Sequence, residues 1–198
     1  MFYDATTNQH GLRHDPFKAL IVPRPIGWIS TLSADGVLNL APYSFFNGVS
    51  VDPHIVMFAS AGRKDSLVNA EATGEFVCNF ASWDQRDQMN ASSATVGPEV
   101  DEFALAGLAT APSQTVKPPR VAGAPAHLEC VYLQTVPMVG RDGRHVYDVV
   151  FGEVTGIHID DSFITEGVLD TASMKPIARL GYHDYAVVDE VFSLKRPS

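Results

Sequence analysis

P-R-P-I-G-W-I-S-T-L-S-A-D-G-V-L-N-L-A-P-Y-S-F-F, residues Pro23 to Phe46, sets two apolar runs on either side of a turn. Ser30 to Leu32 and Val37 to Ala41 flank Ser33, Ala34, Asp35 and Gly36, and Asp-Gly between apolar runs is a strong short-range hairpin signal. A tight β-hairpin is expected. Ala41 and Pro42 then place a small residue beside one that donates no N–H, ahead of Tyr43, Ser44, Phe45 and Phe46. Small residues let a flat ring approach the backbone. As structure alone, the aromatic residues read as core, since Phe is commonly buried for packing.

Arg63 to Asn79, R-K-D-S-L-V-N-A-E-A-T-G-E-F-V-C-N, carries the second signal. Asp65 or Ser66 can cap a short helix over Ser66 to Thr73, and Gly74 can end it by adopting the left-handed conformation of a C′ position. Arg63 and Lys64 add cations at the positive end of the helix dipole, beside free backbone N–H groups and the Ser66 hydroxyl. Those are the parts of a phosphate site, although the same pattern also suits an ordinary capped surface helix.

With 45% hydrophobic and 19% charged residues, the 198-residue chain is expected to form a single domain over residues 1–198. A chain of this size buries about 70% of its unfolded surface. Its 14 Lys plus Arg against 23 Asp plus Glu give a formal charge of −9, which argues against nucleic acid as a partner. In so acidic a chain, Arg24, Arg63 and Lys64 read as a local anion site. Cys78 and Cys130 show no paired spacing and read as buried free thiols. No apolar run approaches the roughly 18 residues that span a bilayer, and no secretory-type beginning is present, so a cytoplasmic location is expected.

Val56 to Ala59, Glu75 to Ala81, His127 to Val136, His145 to Ile159 and Tyr185 to Ser193 read as strands. Gly152 and Gly156 interrupt the longest, as a sheet that must bend requires. Helices are expected at Asp84 to about Ala94 and Asp101 to Ala106, and Pro112 to Pro125 reads as a loop. No G-x-G-x-x-G opens a β-α unit, and no P-loop, H-E-x-x-H or G-x-S-x-G is present. His10 and His14 have metal-pair spacing but straddle Gly11 just ahead of Pro16, so no metal site is expected.

Taken together, P-R-P-I-G-W-I-S-T, the D-G turn with N-L-A-P-Y-S-F-F, and R-K-D-S with T-G-E-F-V-C-N resemble the flavin reductase-like family of FMN-binding split-barrel proteins. Asp101 to Leu108, Pro118 to Cys130, Phe151 to Val154 and Arg179 to Tyr182 extend the likeness over nearly the whole chain. Ser66 stands where the family pattern has Thr, which keeps the hydroxyl and loses a methyl.

The resemblance implies a mainly β fold, a split barrel of Greek-key type, with FMN as cofactor and NAD(P)H as electron donor. It also implies a homodimer with the flavin near the subunit interface, and a separate monooxygenase as a candidate partner. Ser30, Thr31, Ala41, Pro42, Tyr43 and Ser44 would border the ring and ribityl chain. Arg63, Lys64, Asp65 and Ser66 would hold the phosphate end, with Asp65 capping the helix or orienting Lys64. Trp28, Phe46 and His127 are candidates for the flavin or substrate edge. No acid–base residue is needed, because the flavin carries the hydride chemistry. The same fold would also serve an electron carrier without nicotinamide activity, or a flavin-binding module without turnover.

Overall fold

The computed structural model describes residues 1–197. A short helix α1 (Phe17–Leu20) leads into β1 (Arg24–Pro25), β2 (Gly27–Leu32), β3 (Leu38–Tyr43), β4 (Phe46–Val51) and β5 (His54–Ser60). Helix α2 (Asp65–Thr73) precedes β6 (Glu75–Phe80), and two short helices follow, α3 (Arg86–Ala91) and α4 (Glu102–Leu105). Two-residue strands β7 (Thr110–Ala111) and β8 (Arg120–Val121) come before the long pair β9 (Ala126–Val139) and β10 (His145–Ile159). The chain then forms β11 (Ile164–Thr165), β12 (Val168–Leu169), β13 (Ile177–Arg179) and β14 (Tyr185–Val187).

Seven strands pair in the order β3-β2-β6-β9-β10-β5-β4, and β1-β13-β14 make a separate small sheet. Every ladder is antiparallel. The chain builds β2–β3, leaves to build β4–β5 at the opposite edge, and returns through α2 to lay β6 beside β2. Packing shows that this sheet curls. Tyr43 on edge strand β3 meets Phe58 on β5 with ring centroids 4.8 Å apart, although four strands separate β3 from β5 in the hydrogen-bonded order. Since β3 forms no ladder with β4 or β5, the barrel is split.

Ile29, Phe58, Leu67, Phe76, Cys130 and Val150 fill its interior. Phe58 and Phe76 are fully buried and meet edge to face at 5.5 Å, each contributing about 1.5–3 kcal/mol of transfer free energy. Cys78 and Cys130 are buried and unpaired in this core. Bulges break the β9–β10 register at Phe151/Gly152 and Val154/Gly156, the glycines singled out in the sequence. Gly152 has a packing reason as well: a Cβ there would sit 2.3 Å from the Phe76 ring.

A second core lies on the other face of β2 and β3, where Trp28, Leu40, Met89, Phe103, Val121 and Ile177 pack. Several boundaries depart from expectation. The segment Asp84 to Ala94 splits into a 3-10 turn, Trp83–Gln85, and α3. The Pro112 to Pro125 loop contains β8, paired with β7. The last strand ends at Val187 instead of Ser193, because β14 has a partner only along the three residues of β13.

Candidate functional site

β5 ends at Ser60, and the chain turns through Gly62, at φ +81°, toward α2. Lys64 occupies the N-cap position in extended conformation, and its side chain makes no cap hydrogen bond. The sequence reading placed Asp65 or Ser66 at the cap. Instead, the Lys64 carbonyl already accepts from the amides of Leu67 and Val68, at 3.0 Å each, so Asp65 is the first helical residue. A first turn without a side-chain cap keeps amide donors available at the positive end of the helix dipole. Gly74 closes the helix at φ +76°, its N–H donating to the Ala70 carbonyl at 2.9 Å, as expected.

This helix end opens on a groove of about 500 Å³, within the usual range for small-molecule sites, roughly 300–1,000 Å³. The groove brings Ala41, Pro42, Tyr43 and Ser44 together with Arg63, Lys64, Asp65 and Ser66. Two stretches separated by about twenty residues of chain therefore share one cavity. Arg63 is exposed and ion-paired to Glu71 at 2.5 Å, which holds its guanidinium above its usual pKa. Lys64 makes no ion pair among the described residues.

Beneath the groove lies a polar network. Asn39 donates through Nδ2 to Ser66 Oγ and Thr31 Oγ1, both at 2.9 Å, and Asn69 donates to Thr31 Oγ1 at 3.1 Å. Tyr43 is buried, and its hydroxyl makes no hydrogen bond of good geometry, with the Ser66 and Ser60 hydroxyls as its polar neighbours. Burial raises its pKa, so the phenol stays protonated and able to donate. An orphaned buried hydroxyl costs about 1–3 kcal/mol, a cost that a ligand acceptor in the groove would remove. Glu102, also buried, takes the Leu40 amide on Oε2 at 3.0 Å, and burial lifts its carboxyl above the normal range.

Other candidates lie elsewhere. Thr31 is fully buried in the network just described, without lining the groove. Ser30 points to the opposite face of β2, donating to the Pro119 carbonyl at 2.6 Å and accepting from Asn79. Trp28 has no accessible surface and donates through Nε1 to Ser92 Oγ at 2.9 Å, which makes it a core residue. Arg24 does not join Arg63 and Lys64. It is buried, bracing the carbonyls of Lys18, Ile21 and Leu180.

Phe46 and His127 line a separate apolar cavity of about 410 Å³. Burial holds His127 at a pKa of about 4, so its imidazole is neutral, with Nε2 2.8 Å from the Val121 carbonyl. His10 and His14 pack at steep angles against different rings, Tyr3 and Tyr182, and the described residues contain no cluster of metal-ligating side chains.

Sequence reasoning missed one whole wall of the groove, Ser92 to Val96, together with Asn39, Glu102 and Tyr147. The run S-S-A-T after a polar helix was the available signal, and it carries no motif. A side chamber of about 140 Å³ shares Pro42, Ser44 and Ser93 with the groove and is completed by residues including Asn90, Arg179 and Tyr185.

The flavin reductase like domain model matches residues 19–184. A protein of Aquifex aeolicus is 40% identical over 170 residues, covering 82% of this chain and 83% of its own length. The crystal structure of nitrilotriacetate monooxygenase component B from Bacillus cereus is 32% identical, covers 98% of each chain, and superposes with a TM-score of 0.88. A split barrel domain structure from Shewanella frigidimarina shares the fold at 18% identity and a TM-score of 0.82, over 98% of this chain and 94% of its own. The curled sheet, the α2 groove and a family match spanning both cores lead to one assignment: this chain belongs to the flavin reductase like domain family.

Proposed function

We propose that the protein is an FMN-dependent oxidoreductase, an NAD(P)H-dependent flavin reductase that hands reduced flavin to a separate monooxygenase. The observation that carries this reading is the groove at the α2 N-terminus, with Lys64 at the cap position and an unpartnered Tyr43 hydroxyl beside it. These residues fit a flavin phosphate and its polar tail. Helix amides, Lys64 and the Ser66 hydroxyl would hold the phosphate, and Arg63 would join by exchanging its exposed pairing with Glu71. Tyr43 would donate to a ribityl or phosphate oxygen. Ala41 and Pro42 would leave room for the ring, and the Phe45–Tyr147 pair, 5.7 Å apart and also lining the groove, would shield one side.

When bound, FMN supplies the hydride and electron chemistry, and the chain supplies position and exclusion of water. That division of labour accounts for a groove whose one buried carboxylate, Glu102, is already engaged by a backbone amide. The likeness to a monooxygenase component at 32% identity over 98% of both chains favours reductase over electron carrier. A nicotinamide donor would have to stack on the open flavin face, held by ring contact and a few polar groups, so its binding should be weak. Anaerobic mixing of FMN-loaded protein with NADH and NADPH is expected to bleach the visible flavin band. If neither does so while chemically reduced protein still passes electrons to an acceptor, the electron-carrier reading replaces this one.

A further inference from the structure

Two arginines, Arg24 and Arg179, stand opposite each other on the β1–β13 ladder, the second of them bordering the side chamber of the groove, and among the described residues no carboxylate pairs with either. Arg24 is buried and gives its terminal nitrogens to three carbonyl oxygens, which satisfy donors without cancelling charge. Its Nε is buried without a partner. Burial, together with the Arg179 charge, lowers the Arg24 pKa. In a chain of net charge −9, such a pair of uncompensated cations is a local field that favours an anion.

Arg179 is the member of the pair that can reach a ligand. Its guanidinium lies over the Tyr185 ring at 4.5 Å, donates through Nη1 to the Tyr185 hydroxyl and through Nη2 to the Tyr182 carbonyl at 2.5 Å. These contacts fix the plane of the fork and leave its other N–H groups for a further acceptor. The fork borders the 140 Å³ chamber, where Ile26 and Met89 give apolar surface and Asn90 and Ser93 give polar groups. A cavity of about 150 Å³ accommodates one benzene ring, so the chamber takes a single ring and excludes a dinucleotide.

We propose that this chamber is a binding subsite for a small aromatic carboxylate, its carboxylate held by Arg179 and its charge favoured by Arg24 behind. A planar fork matches a planar carboxylate through paired N–H···O bonds, which a lysine cannot reproduce. The subsite rests on the flavin reading only for what lies beside it, because the chamber continues into the main groove through Pro42, Ser44 and Ser93. Binding alone is assigned, with no bond made or broken.

Benzoate is the probe, titrated by ligand-observed NMR into flavin-free protein, with benzamide as the uncharged analogue of the same shape. Saturable benzoate binding at least about tenfold tighter than benzamide is expected, with a loss of at least about tenfold in Arg179→Lys. Equal binding of benzoate and benzamide to the unaltered protein overturns the subsite, as does an unchanged benzoate affinity in folded Arg179→Lys. The benzamide comparison decides the matter even if the variant does not fold. Because the titration needs no flavin, failure to bind FMN would count against the proposed function while leaving this test intact.

Discussion

Lys64 is the residue on which the flavin reading turns. It lies at the cap of α2, lines the groove and pairs with no carboxylate among the described residues. A charged hydrogen bond to phosphate contributes roughly 1.5–3 kcal/mol, so Lys64→Ala should weaken FMN by about one to two orders of magnitude and leave riboflavin nearly unchanged. Parallel titrations decide this, and an equal loss for both flavins would show that Lys64 does not read the phosphate. His127 gives a second expectation, in stability. Its folded pKa, about 4, lies below the unfolded value of 6.5. The unfolded chain therefore takes up a proton first as pH falls, and stability drops by about 3 kcal/mol between pH 6.5 and 4. Glu129 acts lower on the scale. Burial alone would raise its pKa, but hydrogen bonds from Thr115, Gln114 and His158 outweigh that and hold it at about 2. Its contribution is full above pH 4.5 and fades toward pH 2. Thermal melts should show His127→Gln losing the dependence between pH 6.5 and 4 while keeping the acid limb below it; a variant curve parallel to the parent throughout would refute the assignment. At this scale the gathering of Arg63, Lys64 and Ser66 in one groove was legible because they lie within four consecutive positions of the sequence. Arg24 was misread because three carbonyl oxygens distant from one another in the chain decide its role.

Elements were legible where their signal is local. His145 to Ile159 forms as a strand over the expected residues, and α2 ends at the expected glycine, since β-branched content and a left-handed glycine act within a few residues. The last strand was read too long because its length depends on β13, a partner that periodicity does not reveal. The Ser92 to Val96 wall escaped for the same reason: it becomes a wall only once α3 and α4 pack on β2 and β3. Gly152 tests whether the bend in β10 is a packing requirement. A methyl there would meet the Phe76 ring at 2.3 Å and Cys130 Cβ at 3.2 Å, and both of those residues are fully buried. Gly152→Ala should cost about 1–3 kcal/mol in urea unfolding. Gly48, also beside a register shift but with nothing within 4 Å of its Cβ position, is the control, and Gly48→Ala should stay within about 0.5 kcal/mol. Equal costs would mean that backbone bending, and not the Phe76 contact, selects glycine at position 152.

At the scale of the whole molecule, the seven-stranded sheet leaves two edges, β3 and β4, and they differ in what they offer. Helices α2 and α4 pack against β3, and the groove opens beside it. Strand β4 has no such cover: Val49 is 50% exposed and Val51 83% exposed, and Leu20 at 75% lines, with Val49, an apolar hollow along the same side. An uncovered edge with exposed valines is a template for pairing with another chain, and the hollow shares Ser44 and Phe45 with the proposed flavin groove. A second copy seated there would cover the edge and border the cofactor at once, as a two-fold interface permits. The expected species in light scattering is therefore twice 21.4 kDa. Replacing Val49 and Val51 together by lysine should yield a monomer, because two charges on an edge oppose strand addition, and FMN should bind that monomer more weakly than the dimer. A parent protein that is monomeric and still holds FMN tightly would remove the flavin from the interface, and a dimer that survives both lysines would place the contact on another face.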